Sequence, residues 1–451
     1  MANRNHIPTA DEEAKRRKLG RGLAAAATGT IVEYYDFTVY AYLAVVVAPL
    51  FFPGSDPTAA LLASLAIFAS GYLMRPLGGI FFGRVGDRSG RKKVLLLSVM
   101  LMGASSLMMA LLPTYETAGI IAPVLLVLAR LAQGFSAGGE LGGALTYAYE
   151  IAGPTRKGLA ASFVFLGTTG GFALAAICVG SVSSLVSESQ MATWGWRIPF
   201  LLGVPLLALC LWTRSKIDDS AEHEKSMQDG SVESFPLLTL LKTQSSSVLR
   251  GIGISIPSST CMYMVFTYVG IHLARENDFG GTEVAWIAAG VIACITILMP
   301  VYGLVVDRLG ALRAYACGIV VCIVLIFPVL HLTATGSRWV AIGSFLLFGL
   351  AMALVPVAAA AFLPSLFDLR MRVTGVALGN NLSTVLTGGT AAYVSTWLIR
   401  ETGSAVSPGF FVVASCVVGL VALLSIRKAG AAIGSSSSMV MQSAPAEPVE
   451  P

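Results

Sequence analysis

Long apolar stretches separated by short polar ones run through the whole chain. Hydrocarbon about 30 Å thick is crossed by roughly 20 apolar residues in a helix. At that length the pattern predicts about twelve spans, at approximately 22–52, 58–83, 93–113, 119–150, 158–186, 196–214, 248–275, 283–306, 312–332, 339–367, 373–399 and 409–426. Helices are the expected element, because each closes its own backbone hydrogen bonds and no short strand alternation is present. A basic tail, 1–21, precedes the first span. A Ser-, Ala-, Pro- and Glu-containing tail, 429–451, has no apolar period and is expected to be disordered. Residues 215–247 are polar and charged, and read as the linker between an N-terminal six-helix bundle (22–214) and a C-terminal one (248–428).

Composition strengthens the membrane reading. The chain is 55% hydrophobic and 12% charged, where a soluble domain carries about 25% charge. Its formal charge of +5 is scattered over short loops, unlike a nucleic-acid surface. Those charges alternate by side. Lys15, Arg16, Arg17, Lys18 and Arg21 precede the first span, Arg84 to Lys93 follow the second, and Arg156 and Lys157 follow the fourth. Arg214 and Lys216, Arg308 and Arg313, Arg370 and Arg372, and Arg427 and Lys428 fall on the same side. The positive-inside rule makes both termini and the linker cytoplasmic, in a multi-pass protein of the cell membrane. The first apolar run is longer than a signal-peptide core and should stay as a helix. Seven cysteines show no metal or redox spacing, so they read as packing residues, and neither metal nor cofactor is expected.

Charges inside spans each cost a few kcal/mol at mid-depth unless they face a partner or a wet cavity. In the first span Glu33, Asp36 and Tyr40 are spaced by three and four, which puts them on one face. Arg130, Gln133, Ala137 and Glu140 form a second stripe in the fourth span, Arg75 lies in the second, and Glu150 closes the fourth. Two acids and two bases at comparable depth suggest a polar cavity. The competing reading is that they pair to fix helix register. The second half offers hydroxyls and amides instead: Thr260, Tyr263, Thr267 and Tyr268 in the seventh span, and Asn380, Asn381, Ser383 and Thr384 in the eleventh. Pro257, Pro300 and Pro356 are candidate hinges. Gly134, Gly138 and Gly142, then Gly139 and Gly143, then Gly167, Gly170 and Gly171 read as small faces for close helix crossing.

Between the second and third spans stands Gly83-Arg84-Val85-Gly86-Asp87-Arg88-Ser89-Gly90-Arg91-Lys92-Lys93, and a decayed copy, Gly303-Leu304-Val305-Val306-Asp307-Arg308-Leu309-Gly310, recurs between the eighth and ninth. This block resembles the loop between the second and third helices of major facilitator superfamily transporters, whose six-helix halves are tandem repeats. Further motifs are similar to the metabolite:proton symporter family: Glu33-Tyr34-Tyr35-Asp36-Phe37, Arg75-Pro76-Leu77-Gly78-Gly79, and Arg130-Leu131-Ala132-Gln133-Gly134-Phe135 continuing to Gly138-Gly139-Glu140. So are Trp194-Gly195-Trp196-Arg197-Ile198-Pro199-Phe200, Gly388-Gly389-Thr390-Ala391 and Ser395-Thr396-Trp397-Leu398-Ile399.

The resemblance implies an all-α major facilitator fold and inward carriage, with protons, of carboxylates such as 2-oxoglutarate or citrate, of shikimate, or of zwitterionic osmolytes such as proline and betaine. It implies a cytoplasmic gate at Gly83, Gly86, Asp87, Arg88, Gly90 and Arg91, with Asp87 bonded to Arg91 and to the start of the eleventh span, and with Glu150 and Arg156 extending the network. In the second copy Asp307 and Arg308 remain, but Gly310-Ala311-Leu312-Arg313 lacks the basic cluster and Ser365-Leu366-Phe367 stands where an acid is usual. Weaker contacts are therefore expected there.

The expected function is uptake of a small organic anion, a di- or tricarboxylate being favoured because two arginines are present. Arg75, Arg130, Gln133, Tyr40, Asn380 and Asn381 are the binding candidates, Glu33 or Asp36 carries the proton, and a single chain is the functional unit. An efflux antiporter is the rival, marked by an acid in a large aromatic cavity without a central arginine pair. A membrane enzyme is disfavoured, since His6, His223, His272 and His331 lie in a tail, a linker and span ends without acidic partners at ligand spacing.

Overall fold

The computed structural model describes residues 10–54, 56–89, 91–215, 236–276, 280–334, 337–368 and 371–442. Within these only the backbone is described at 10–22, 24–26, 83–96, 209, 212–215, 236, 269, 274–276, 281 and 428–442. All regular elements among the described residues are helical. The first three spans are Ala10–Phe51, Pro57–Ser89 and Arg91–Ala110. The fourth is broken, as Ile121–Ser136 and Glu140–Ile151, because Ala137 to Gly139 combine small residues with two glycines. Lys157–Leu185 and Ile198–Ser215 complete the first half.

In the second half the seventh span is Ser245–Tyr263, a π-helix Met264–Tyr268, and Val269–Glu276. Gly281–Leu309 and Ala311–Ala334 follow as the eighth and ninth. The tenth is Arg338–Met352 with Leu354–Phe362. The eleventh is Arg372–Ser383, a π-helix Thr384–Gly388, and Ala391–Thr402. The twelfth is Pro408–Gln442. Among the described residues nine helices are long and apolar enough to cross a membrane, and Leu97–Ala110 and Gly195–Ala208 are shorter apolar ones. With the hydroxyl- and amide-bearing eleventh, helices stand at all twelve positions that the pattern predicts.

Two boundaries differ from the sequence reading. The last helix continues to Gln442, past the expected tail boundary at 429, because no proline interrupts the chain before Pro445. The distal part of the expected linker forms a helix, Pro236–Thr243, that buries Leu240 against the seventh span. Of the candidate hinges, Pro300 lies within a continuous helix, Pro257 precedes the seventh span's π-helix, and Pro356 follows the break in the tenth.

Packing explains the glycines. The second and fourth spans cross backbone to backbone: a Cβ on Gly134 would lie 1.7 Å from the Gly71 carbonyl oxygen, and one on Gly138 would lie 2.1 Å from that of Arg75. Gly167 and Gly171 do the same against Ala27 and Ile31 of the first span. Gly142 faces Ala377 of the eleventh span, across the halves. Gly139 and Gly143 meet nothing within 4 Å, so that part of the expected small-residue face is not a crossing surface. The fifth span lies against both the first and the eighth, and this contact brings the halves together along their length.

Candidate functional site

The stripes read from helical spacing converge. Glu33, Asp36, Arg75, Arg130 and Gln133 are each at most 2% exposed, sealed where the first, second and fourth spans meet. Arg75 Nη2 lies 3.4 Å from Glu33 Oε1. Asp36 accepts from Gln133 Nε2 and from Ser106 Oγ of the third span. Arg130 Nη1 donates to the Phe37 carbonyl at 3.3 Å and to Gln133 Oε1. Gln133 thus couples Arg130 to Asp36, with its oxygen toward the cation and its amide toward the acid.

Aromatic rings hold both guanidinium groups. Arg75 sits 4.8 Å from the Phe37 ring centroid, 4.9 Å from Tyr72 and 5.8 Å from Tyr34. Arg130 sits 4.3 Å from Phe37, 4.7 Å from Tyr40 and 5.0 Å from Phe68. Each such contact is worth about 2 kcal/mol when desolvated. Tyr40 acts through its ring, because its hydroxyl is engaged with Ser64 at 3.0 and 3.1 Å.

Two acids and two cations balance in charge, which offsets the several kcal/mol per ion that burial costs. Hydrogen bonding is less complete. Arg75 Nε, Nη1 and Nη2, and Arg130 Nε and Nη2, have no hydrogen-bond acceptor among the described residues. An arginine presents its donors as a fork that matches a carboxylate.

Other candidates take different places. Asn381 Nδ2 donates to the Gly138 carbonyl at 2.6 Å, tying the eleventh span to the break in the fourth. It joins the halves and does not reach the arginines. Asn380 is half-buried, and its carbonyl accepts from Ser383 and Thr384. Glu140 accepts from Ser98, away from the cluster. Ser106 was missed in the sequence, where its only signal is polarity within an apolar third span. From the second half Tyr263 approaches the centre, its hydroxyl 2.7 Å from that of Tyr72.

On the cytoplasmic side Asp307 accepts from the Gly158 amide at 2.6 Å and the Leu159 amide at 3.0 Å. A carboxylate on exposed helix N–H groups is favoured there. Its aspartate therefore gives the second loop copy, expected to be the weaker, a two-bond contact with the fifth span. Glu150 pairs with Arg372 across the halves at 3.1 Å, not with Arg156. Arg156 is exposed at the N-cap position of the fifth helix and makes no side-chain cap bond there. Arg308 is exposed. Only the backbone is described at Gly83, Gly86, Asp87, Arg88 and Arg91, and Gly90 lies outside the described residues.

Asp307→Ala removes that cap. A cap is worth about 1 kcal/mol, so forms in which the fifth and eighth spans part at this end should gain roughly fivefold. Maleimide labelling of Ser162→Cys from the cytoplasmic face, in a chain without its native cysteines, should accelerate accordingly. An unchanged rate would show that this cap does not hold the two spans together.

Sequence and structure comparisons settle the family. The model of the Major Facilitator Superfamily matches residues 19–388. The chain belongs to this superfamily. It is 31% identical over 422 residues to the proline/betaine transporter of Escherichia coli (strain K12), covering 91% of this chain and 84% of that one. It is 32% identical over 409 residues to the alpha-ketoglutarate permease of the same strain, covering 90% and 94%. The inner membrane metabolite transport protein YhjE of that strain is 35% identical over 414 residues, covering 89% and 92%. Among solved structures, a D-xylose-proton symporter superposes with a TM-score of 0.71 at 18% identity, covering 88% and 96%, which supports the shared fold. This major facilitator is thus a multi-pass transporter of the cytoplasmic membrane and not an enzyme, and its motifs put it with the metabolite:proton symporters.

Proposed function

We propose that this transporter takes up a small carboxylate-bearing solute together with a proton, and that the solute carboxylate and Glu33 compete for Arg75. The observation that carries this reading is Arg75 itself: buried, 3.4 Å from Glu33, with its guanidinium hydrogen bonds unfilled among the described residues. When a carboxylate binds Arg75, Glu33 loses its counter-charge in a site sealed from water. An acid in that position is stable only when protonated. Solute binding therefore draws in a proton, and protonation of Glu33 frees Arg75 for the solute. Asp36, held by Gln133 and Ser106, remains an anion and keeps Arg130 neutralised.

Geometry favours a solute with one carboxylate and a cationic group, in place of the di- or tricarboxylate expected from two arginines. Arg130 spends its Nη1 on Gln133 and the Phe37 carbonyl beneath three rings, whereas Arg75 has none of its donors hydrogen-bonded among the described residues and is the freer guanidinium. The surrounding Tyr34, Phe37, Tyr72, Phe172 and Tyr263 offer ring faces of the kind that suit methylated ammonium groups. To keep the closed site neutral a dianion would require both acids to be protonated, whereas a zwitterion entering with one proton leaves a single positive charge, its own cationic group, for the ring faces to receive.

The test is uptake by proteoliposomes under an imposed inward proton gradient, with glycine betaine, L-proline, 2-oxoglutarate, citrate and shikimate offered in turn. Accumulation of betaine or proline is expected. Accumulation of 2-oxoglutarate or citrate alone would overturn the zwitterion, and accumulation of none would favour efflux by antiport.

A further inference from the structure

Resting on the carboxylate reading above, we propose that Tyr263, from the second half, completes the carboxylate subsite of Arg75, and that Tyr72 holds it in place until solute arrives. Tyr72 lies beneath the Arg75 guanidinium at 4.9 Å and donates its hydroxyl proton to Tyr263 at 2.7 Å. Having accepted that bond, the Tyr263 hydroxyl still has its own proton, for which the described residues supply no acceptor. The Tyr72 ring neighbours both, 4.9 Å from the Arg75 guanidinium and 5.3 Å between centroids from Tyr263. The unbonded donors Nε, Nη1 and Nη2 of Arg75 and the Tyr263 hydroxyl thus lie on either side of Tyr72, which touches both residues. A carboxylate has two oxygens and about four lone-pair sites, so it can take a fork from Arg75 on one side and a hydroxyl from Tyr263 on the other.

The backbone is built around this pair of rings. Gly388 and Gly389, a motif of the eleventh span with no other role in the site, lie against them. A Cβ on Gly388 would be 2.8 Å from the Tyr263 ring, and one on Gly389 would be 2.3 Å from the Tyr72 ring. Tyr263 is the last residue before the π-helix of the seventh span, and Gly388 is the last residue of the π-helix of the eleventh. Such π-turns recur at functional sites, where they re-aim side chains. Phe172 of the fifth span braces the Tyr263 ring at 5.9 Å between centroids and 76°. Bridged by one carboxylate, Arg75 of the first half and Tyr263 of the second would be drawn together by the solute itself.

Two variants separate this role from a latch without solute contact. Tyr263→Phe and Tyr72→Phe both remove the inter-tyrosine bond and keep both rings, but only Tyr263→Phe removes the donor to the carboxylate. Glycine betaine and 2-oxoglutarate serve as probes, in counterflow and in thermal-shift titrations of the purified transporter. For whichever probe the wild type binds, Tyr263→Phe should raise the half-saturating concentration about tenfold or more, the size expected for a hydrogen bond to a charged group, with maximal exchange within about twofold. Tyr72→Phe, which loses the holding bond but keeps the Tyr263 donor, should raise the half-saturating concentration by clearly less than Tyr263→Phe does. Equal effects of the two variants, or none from Tyr263→Phe, would overturn the proposal. Wild type that binds neither probe contradicts it together with the carboxylate reading, while binding that is indifferent to Tyr263 contradicts it alone.

Discussion

Glu33→Gln should leave solute exchange running while abolishing proton-driven accumulation. Glutamine keeps the length of the side chain and its carbonyl can still accept from Arg75, but it cannot cycle a proton. Arg75 in the variant retains the rings of Tyr34, Phe37 and Tyr72 and is permanently available to a carboxylate. A pH difference of one unit is worth about 1.4 kcal/mol per proton, which supports roughly tenfold accumulation of a neutral solute. In proteoliposomes the wild type should approach that ratio and Glu33→Gln should stop at equality, with counterflow preserved. Tenfold accumulation by the variant would transfer the proton to another group, Asp36 being the next to test.

A second large effect is expected at Gly134, where alanine should eliminate folded transporter. The added Cβ would lie 1.7 Å from the carbonyl oxygen of Gly71, a clash of backbone with backbone that no rotamer change relieves. Overpacking costs typically 1–3 kcal/mol even where side chains can move, so about 3 kcal/mol or more is expected here, a large share of a domain's roughly 5–15. The monodisperse peak in fluorescence-detected size exclusion should be lost. Gly139→Ala is the control: it meets nothing within 4 Å at φ −110°, and should express and transport normally. A well-folded Gly134→Ala protein would show that the second and fourth spans do not cross as closely as described.

These two sites mark where sequence reasoning reached and where it stopped. Glu33, Asp36 and Tyr40 could be put on one face from their spacing alone, because helical period is a local property, and the cost of burying charge flagged Arg75 and Arg130 without knowledge of their partners. The partners themselves are non-local. Ser106 reaches Asp36 from another helix, and Arg372 reaches Glu150 across 222 positions of sequence. Asn381 looked like a ligand-binding amide because an amide inside a span needs a partner. That partner proved to be a carbonyl exposed by the break at Gly138, which single-sequence periodicity does not reveal. Tyr72 was overlooked among many apolar neighbours, and the π-helices beside Tyr263 and Gly388, each packed against the other span, have no signature in the hydrophobic pattern. The glycine rows were legible as small faces. Which of them touch was not: Gly134 and Gly138 are in contact, and Gly139 and Gly143 face open space.

Competition between solute and Glu33 for Arg75 is tested most directly by proton uptake on binding, with no membrane or gradient present. Purified transporter in weakly buffered solution near neutral pH is titrated with the solute that it accumulates, and the pH is followed. Linkage requires uptake approaching about one proton per solute bound in the wild type, and close to none in Glu33→Gln. Binding without proton uptake by the wild type, or undiminished uptake by Glu33→Gln, would contradict it.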